Sequence, residues 1–244
     1  MVLQQSTKGA MVFYAVYGTA FFISLAIVGV VGIGTMPLFP LQTENLEWAQ
    51  TWLVQTIFDY YGAAFCVCGV IIATERELSR GCMWVAAVCL LGCPNACLWA
   101  TLQLYRNGHL CLASCRDGSA DGLLDKELWP TARKLGVAFF PCYGVGFVVL
   151  FVVTMANQNL INFDFGNLSW CLWWLVTTCF DYYGCCFVLV TIMLYTEEEL
   201  WKGIAWSMGA LFVGTPASAL WTFLQLLKRD TLALASDNNG YTGY

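Results

Sequence analysis

The sequence predicts an all-α membrane protein of six transmembrane helices, built as two inverted three-helix repeats. Composition is the first observation behind this: 59% of the 244 residues are hydrophobic and 11% are charged, where soluble domains carry about 25% charged residues. The second is distribution, since the charges cluster between apolar runs of the roughly 20 residues that span a bilayer. The third is that the second half of the chain repeats the first.

The apolar runs fall at 10–34, 52–73, 82–105, 135–156, 171–195 and 204–227. The first is too long for a signal-peptide core, lacks an A-x-A cleavage site and has only Lys8 ahead of it, so it reads as a retained helix. Residues 1–106 then form the first repeat and 107–134 a polar connecting loop with Asp-Gly turn pairs. Residues 135–244 form the second repeat, ending in a polar tail, "SDNNGYTGY", expected to be loose or bound by a partner.

Aligning 45–106 with 167–228 at a constant offset of 122 gives 26 identities in 62 positions without a gap. Among them are Trp48/Trp170, Trp52/Trp174, the whole of "FDYYG", Gly92/Gly214, Pro94/Pro216, Trp99/Trp221 and Gln103/Gln225. The first and fourth runs match more weakly, through "YG" at Tyr17-Gly18 and Tyr143-Gly144. Three spans per unit would make the second unit enter from the opposite side. Lys and Arg then divide five against six between the faces, which sets no orientation.

Asp59 and Asp181 lie about ten residues into their runs, hence roughly 12–15 Å deep at 1.5 Å per residue. Tyr60 and Tyr61 accompany the first acid, with Pro94 and Asn95 of the third run expected at the same depth. Tyr182, Tyr183, Thr215, Pro216 and Ser218 accompany the second. Pro94 has no N–H, so the Leu90 carbonyl would be left free. An ionisable group at that depth is a functional candidate, with three readings: a cation or proton site at the repeat interface, a hydrogen-bonding anchor between helices, or oxygen ligands for a cofactor or lipid headgroup. The last would enlist Gln103 and Gln225, with Glu75 and Glu197 as further candidates. For these glutamates the plainer reading is capping: "TERE" and "TEEE" match the capping box, with Thr74 and Thr196 as N-caps of the third helices.

Several functions are excluded or disfavoured. No basic stripe points to nucleic acid. G-x-S-x-G, P-loop and H-E-x-x-H motifs are absent and there is one histidine, so no enzyme is expected. "HLCLASC", with His109, Cys111 and Cys115, lacks a fourth metal ligand; a local disulfide, or nothing, fits better. The other cysteines read as small buried hydrophobes, with Cys89, Cys93 and Cys97 along one face of a continuous helix. No run carries the polar stripe that a hydrophilic pore needs.

The aromatic–aspartate run, the acidic turn and the "W-x7-G-x-P-x4-W-x3-Q-L" helix of each unit resemble small three-helix integral membrane proteins of unknown function found in plants and cyanobacteria. The chain looks like a fused tandem version of them. The resemblance implies a photosynthetic organism, with a thylakoid or plastid membrane as the site. It also implies an accessory role in a photosystem–antenna assembly, beside lipids and other membrane subunits, with chlorophyll or carotenoid as candidate cofactors. The expected function is therefore a non-catalytic structural or accessory subunit. The alternative is a small cation- or proton-coupled transporter using Asp59 and Asp181.

Overall fold

The computed structural model describes residues 2–35, 48–75, 77–113, 129–157 and 170–235. The described residues hold eight helices: α1 (Val2–Thr35), α2 (Trp48–Thr74), α3 (Leu78–Leu91), α4 (Cys93–Asn107), α5 (Trp129–Asn157), α6 (Trp170–Thr196), α7 (Leu200–Phe212) and α8 (Thr215–Arg229). Stretches of α2, α5 and α6 are each long and apolar enough to cross a membrane.

The third run of each unit is two half-helices, which corrects the expectation of six continuous spans. The break falls at Gly92 and Gly214, whose φ values of +83° and +82° belong to glycine. Pro94 and Pro216 start the next helix within its first turn, where a missing N–H costs nothing. So Pro94 does not loosen a continuous helix, and Cys89 is separated from Cys93 and Cys97 by the break.

The half-helices also reverse direction. Trp99 and Gln103, on α4, donate to Glu75 at the end of α2, at 2.9 and 3.1 Å. Had α3 continued straight on, the 24 residues from Glu75 to Trp99 would span about 36 Å. Trp221 and Gln225 repeat the pattern on Glu197, both at 2.8 Å. Each unit therefore holds two long helices and a hairpin of half-helices.

The long helices α2 and α6 make the largest helix–helix contact and run parallel. Trp52 and Leu53 meet Leu175 near their beginnings. At their other ends, Thr74 Oγ1 accepts from Leu234 N and Thr196 Oγ1 from Leu112 N, both at 3.0–3.1 Å. Leu112 and Leu234 pair with each other in an antiparallel bridge. This is the bridge end of the molecule. Because Thr74 and Thr196 close α2 and α6 and hold the bridge, they are not capping-box N-caps. Glu77 and Glu199 occupy those positions, without side-chain capping bonds.

Both hairpins open toward the bridge end, and α1 and α5 start there. Thr7 Oγ1 donates to the Gly108 carbonyl at 2.9 Å, and Arg133 pairs with Asp230 at 2.5 Å. The units are thus related by a twofold axis along the helices, and the inverted arrangement is not what the chain adopts. An odd helix count does not invert the second unit, because the third element returns to the side it came from. The polar tail at 236–244 and most of the connecting loop, 114–128, lie outside the described residues.

Candidate functional site

The N-terminus of a half-helix leaves backbone N–H groups without intrahelical partners. Gly92 and Gly214, at the N-cap positions of α4 and α8, have no side chain to satisfy them. The opposite unit supplies the acceptor. Asp181, on α6, accepts the N–H of Cys93 at 2.5 Å. Asp59, on α2, accepts the N–H of Thr215 at 2.7 Å, and Thr215 Oγ1 donates to the Asp59 carbonyl at 2.9 Å. A carboxylate there also opposes the positive end of the helix dipole.

The repeated "FDYYG" now reads residue by residue. The aspartate caps the other unit's half-helix. The first tyrosine serves its own unit: Tyr60 donates to Val88 O at 2.7 Å and Tyr182 to Ala210 O at 2.6 Å, at the ends of α3 and α7. The second tyrosine is less symmetric, for Tyr61 reaches Cys89 O at 3.3 Å while Tyr183 packs on Tyr182 and Phe187. The glycine makes room. A Cβ at Gly62 would overlap the Thr215 side chain, and one at Gly184 would overlap Cys93. Even the phenylalanine's carbonyl is used, by Tyr17 on Phe180 and Tyr143 on Phe58, both at 2.7 Å.

The predicted grouping is therefore corrected in its pairing. Asp59 sits at the break beside Pro216, not Pro94, and Asp181 at the break beside Cys93 and Pro94. Acid and break share a level along the helices: α3, with 14 residues, reaches about 21 Å from the bridge end. Asp59 lies 15 residues from the end of α2, about 22 Å by the same rise. Asn95 donates to Ala87 O at 3.3 Å, bracing the turn. Ser218 is fully buried, and its hydroxyl has no hydrogen-bond partner among the described residues.

Glu75, Glu197, Gln103 and Gln225 form a separate pair of networks near the bridge end. The amide oxygen of Gln103 accepts from Asn107 at 3.2 Å and that of Gln225 from Arg229 at 2.9 Å. Arg229 also donates to Leu112 O and Thr196 O, at 3.1 and 2.8 Å. These candidate ligands are engaged with each other and with their own chain. Cys111 carries a free thiol, which donates to Leu112 O, and Cys115, its expected disulfide partner, lies outside the described residues. Burial pushes that thiol's pKa up, partly offset by Arg229.

The sequence assigned no role to Tyr17, Tyr143, Gly62, Gly184 or Cys93, and it grouped Thr215 with Asp181, where the structure pairs Thr215 with Asp59. The signal for the tyrosines was the repeated "YG", which was visible but had no assigned partner. For Cys93 it was position, directly after a repeated glycine and before a repeated proline. No protein-family model, curated protein or solved structure matches the chain.

Proposed function

We propose that the chain is a non-catalytic multi-pass membrane protein that serves as a structural or accessory subunit of a larger membrane assembly. In this reading α1, α2, α5 and α6 cross the bilayer, and the α3–α4 and α7–α8 hairpins enter from one side and return. Half-helices of about 20 Å are too short to cross a hydrocarbon core of about 30 Å. The observation that carries the proposal is the exchange of Asp59 and Asp181. Both mid-depth acids bind the other unit's helix ends, so they act as anchors between units. Support also comes from α5, whose apolar stretch is only 17% buried and offers an outward face to lipid or a partner subunit.

Charge assigns the orientation. Every described Lys and Arg lies at the bridge end: Lys8, Arg80, Arg106, Arg133, Lys134, Lys202, Lys228 and Arg229. The sequence has no Lys or Arg from 9 to 75 or from 135 to 201, which covers both connections at the far end. Those connections carry Glu44, Glu47 and Asp164 instead. By the positive-inside rule the bridge end faces the compartment from which the protein is inserted. The even split of the inverted arrangement disappears once the hairpins fold back.

A second reading, a small cation- or proton-coupled transporter, is favoured by one observation. Two half-helix N-termini meet acids at mid-depth, as in the broken helices of many transporters. Extraction in mild detergent separates the two readings. Co-migration with a large complex supports the accessory subunit, and visible absorption of that complex would add the photosynthetic setting, which rests on the resemblance alone. A colourless particle of one or two copies, active in liposome ion flux and silenced by Asp59→Asn with Asp181→Asn, would overturn it.

A further inference from the structure

The mouth of the α3–α4 hairpin holds a cavity of about 210 Å³ at the bridge end. Arg80 of α3 and Arg106 of α4 line it, with Trp84 and Trp99 as walls and Glu75 and Gln103 deeper in. Glu75 is 6% exposed, and its Oε1 is shared by Trp99 and Gln103. Both arginines are exposed, and neither has a hydrogen bond or ion pair among the described residues. Two guanidiniums against one internally bonded carboxylate leave the mouth net positive.

The second unit repeats the composition with Lys202, Lys228, Glu197, Trp206, Trp221 and Gln225 at the corresponding positions. There the first cation is occupied: Lys202 pairs with Glu199 at 2.7 Å and lies 5.5 Å from the Trp201 ring centre. Residue 79, where the first unit would need that tryptophan, is Ser79. Among the described residues the first mouth therefore presents two unengaged planar forks, the side chain that matches phosphate oxygens bidentately, where the second presents none. Apolar walls beside them suit a phosphate carried on an acyl chain.

We propose that the α3–α4 mouth, through Arg80 and Arg106, binds the phosphate group of an anionic amphiphile. A phospholipid headgroup and a soluble phosphate share this chemistry, and the test must tell them apart. The inference rests on the membrane reading above, which places the mouth at the bilayer surface.

The experiment measures phosphatidylglycerol retained by the full-length chain, purified in neutral detergent, by native mass spectrometry. The wild type is expected to keep the lipid. Arg80→Gln with Arg106→Gln should lower its affinity about tenfold or more, the order expected for loss of charge-assisted bonds. Lys202→Gln with Lys228→Gln should change it less than about threefold by the same scale. Inorganic phosphate that displaces the lipid at millimolar levels would instead assign a soluble phosphate to the same arginines. Equal retention by wild type and the folded Arg double variant overturns the proposal. If that variant does not fold, Arg80→Lys with Arg106→Lys keeps the charge and removes the forks, and undiminished retention there overturns it equally. A chain that fails to enter phosphatidylcholine vesicles at all would defeat the membrane reading, whereas one that enters without preferring phosphatidylglycerol defeats only this site.

Discussion

Asp59 accepts the backbone N–H of Thr215 at 2.7 Å across a separation of 156 residues, from the first unit to the second. Asp181 returns the contact through Cys93. Neither unit can complete its half-helix alone, so duplication and the paired acids are one structural fact. Each half supplies the cap that the other half's glycine lacks.

Removing the acceptor should therefore separate charge from hydrogen bonding. Asparagine is itself a good cap, so Asp59→Asn should melt within about 1 kcal/mol of the parent, as neutral and charged acceptors differ by about that much. Asp59→Ala leaves a buried N–H unpaired and should cost about 1–3 kcal/mol. Thermal unfolding in detergent, followed by circular dichroism, reads the difference. Equal losses from the two variants would mean the cap is not the source of the effect.

The glycines of "FDYYG" should be intolerant for a steric reason. Gly62→Ala drives a methyl into Thr215, and Gly184→Ala into Cys93. Each should destabilise by about 1–3 kcal/mol, the range for overpacking. Gly146→Ala, with nothing within 4 Å of the added Cβ, serves as the control and should be neutral or slightly stabilising. Comparable melting temperatures for all three would count against the close approach of the units.

Much of this arrangement was legible in the sequence, and the part that was not has a physical reason. Apolar run length located the long helices, and the constant offset found the repeat. Helical rise placed Asp59 and Asp181 level with the Gly-x-Pro segments of the third runs. Run length fails at Gly92, because two half-helices joined by a tight turn have the same composition as one spanning helix. That single ambiguity carried the inverted topology and the even charge split with it. The repeated Gly-x-Pro was the available clue: a positive-φ glycine two residues before a proline ends one helix and begins another. Partner choice was not legible, since the fixed offset aligns Asp59 with Asp181 but says nothing of which break each one meets.

The bridge end should show an asymmetry that the repeat hides. Arg229 holds Gln225, Leu112 and Thr196 together, while among the described residues Asn107, its counterpart, holds only Gln103. Arg229→Met should cost about 2 kcal/mol, the scale of bonds to a charged donor in a partly exposed site. Asn107→Ala should cost about 1 kcal/mol or less. Hydrogen exchange at Leu112 and Leu234 gives a local readout, and protection lost only in the Arg229 variant is the expected result. Equal loss in both would make the two units equivalent here.

The orientation has the most direct consequence, because the chain's lysines are Lys8, Lys126, Lys134, Lys202 and Lys228, with none in the connections at the far end. A membrane-impermeant amine reagent applied to sealed vesicles should therefore label the protein from one side only. Vesicles exposing the insertion-side surface should be labelled on lysines distributed along the whole chain. Vesicles of the opposite sidedness should give no labelled lysine until detergent is added. A six-span inverted protein would behave differently: Lys8 and Lys228 would react from one face, and Lys126, Lys134 and Lys202 from the other. Mapping the labelled lysines by mass spectrometry distinguishes the patterns without any substitution, so a failure cannot be blamed on misfolding. Labelling divided between the faces would overturn both the hairpins as returning elements and the parallel relation of α2 to α6.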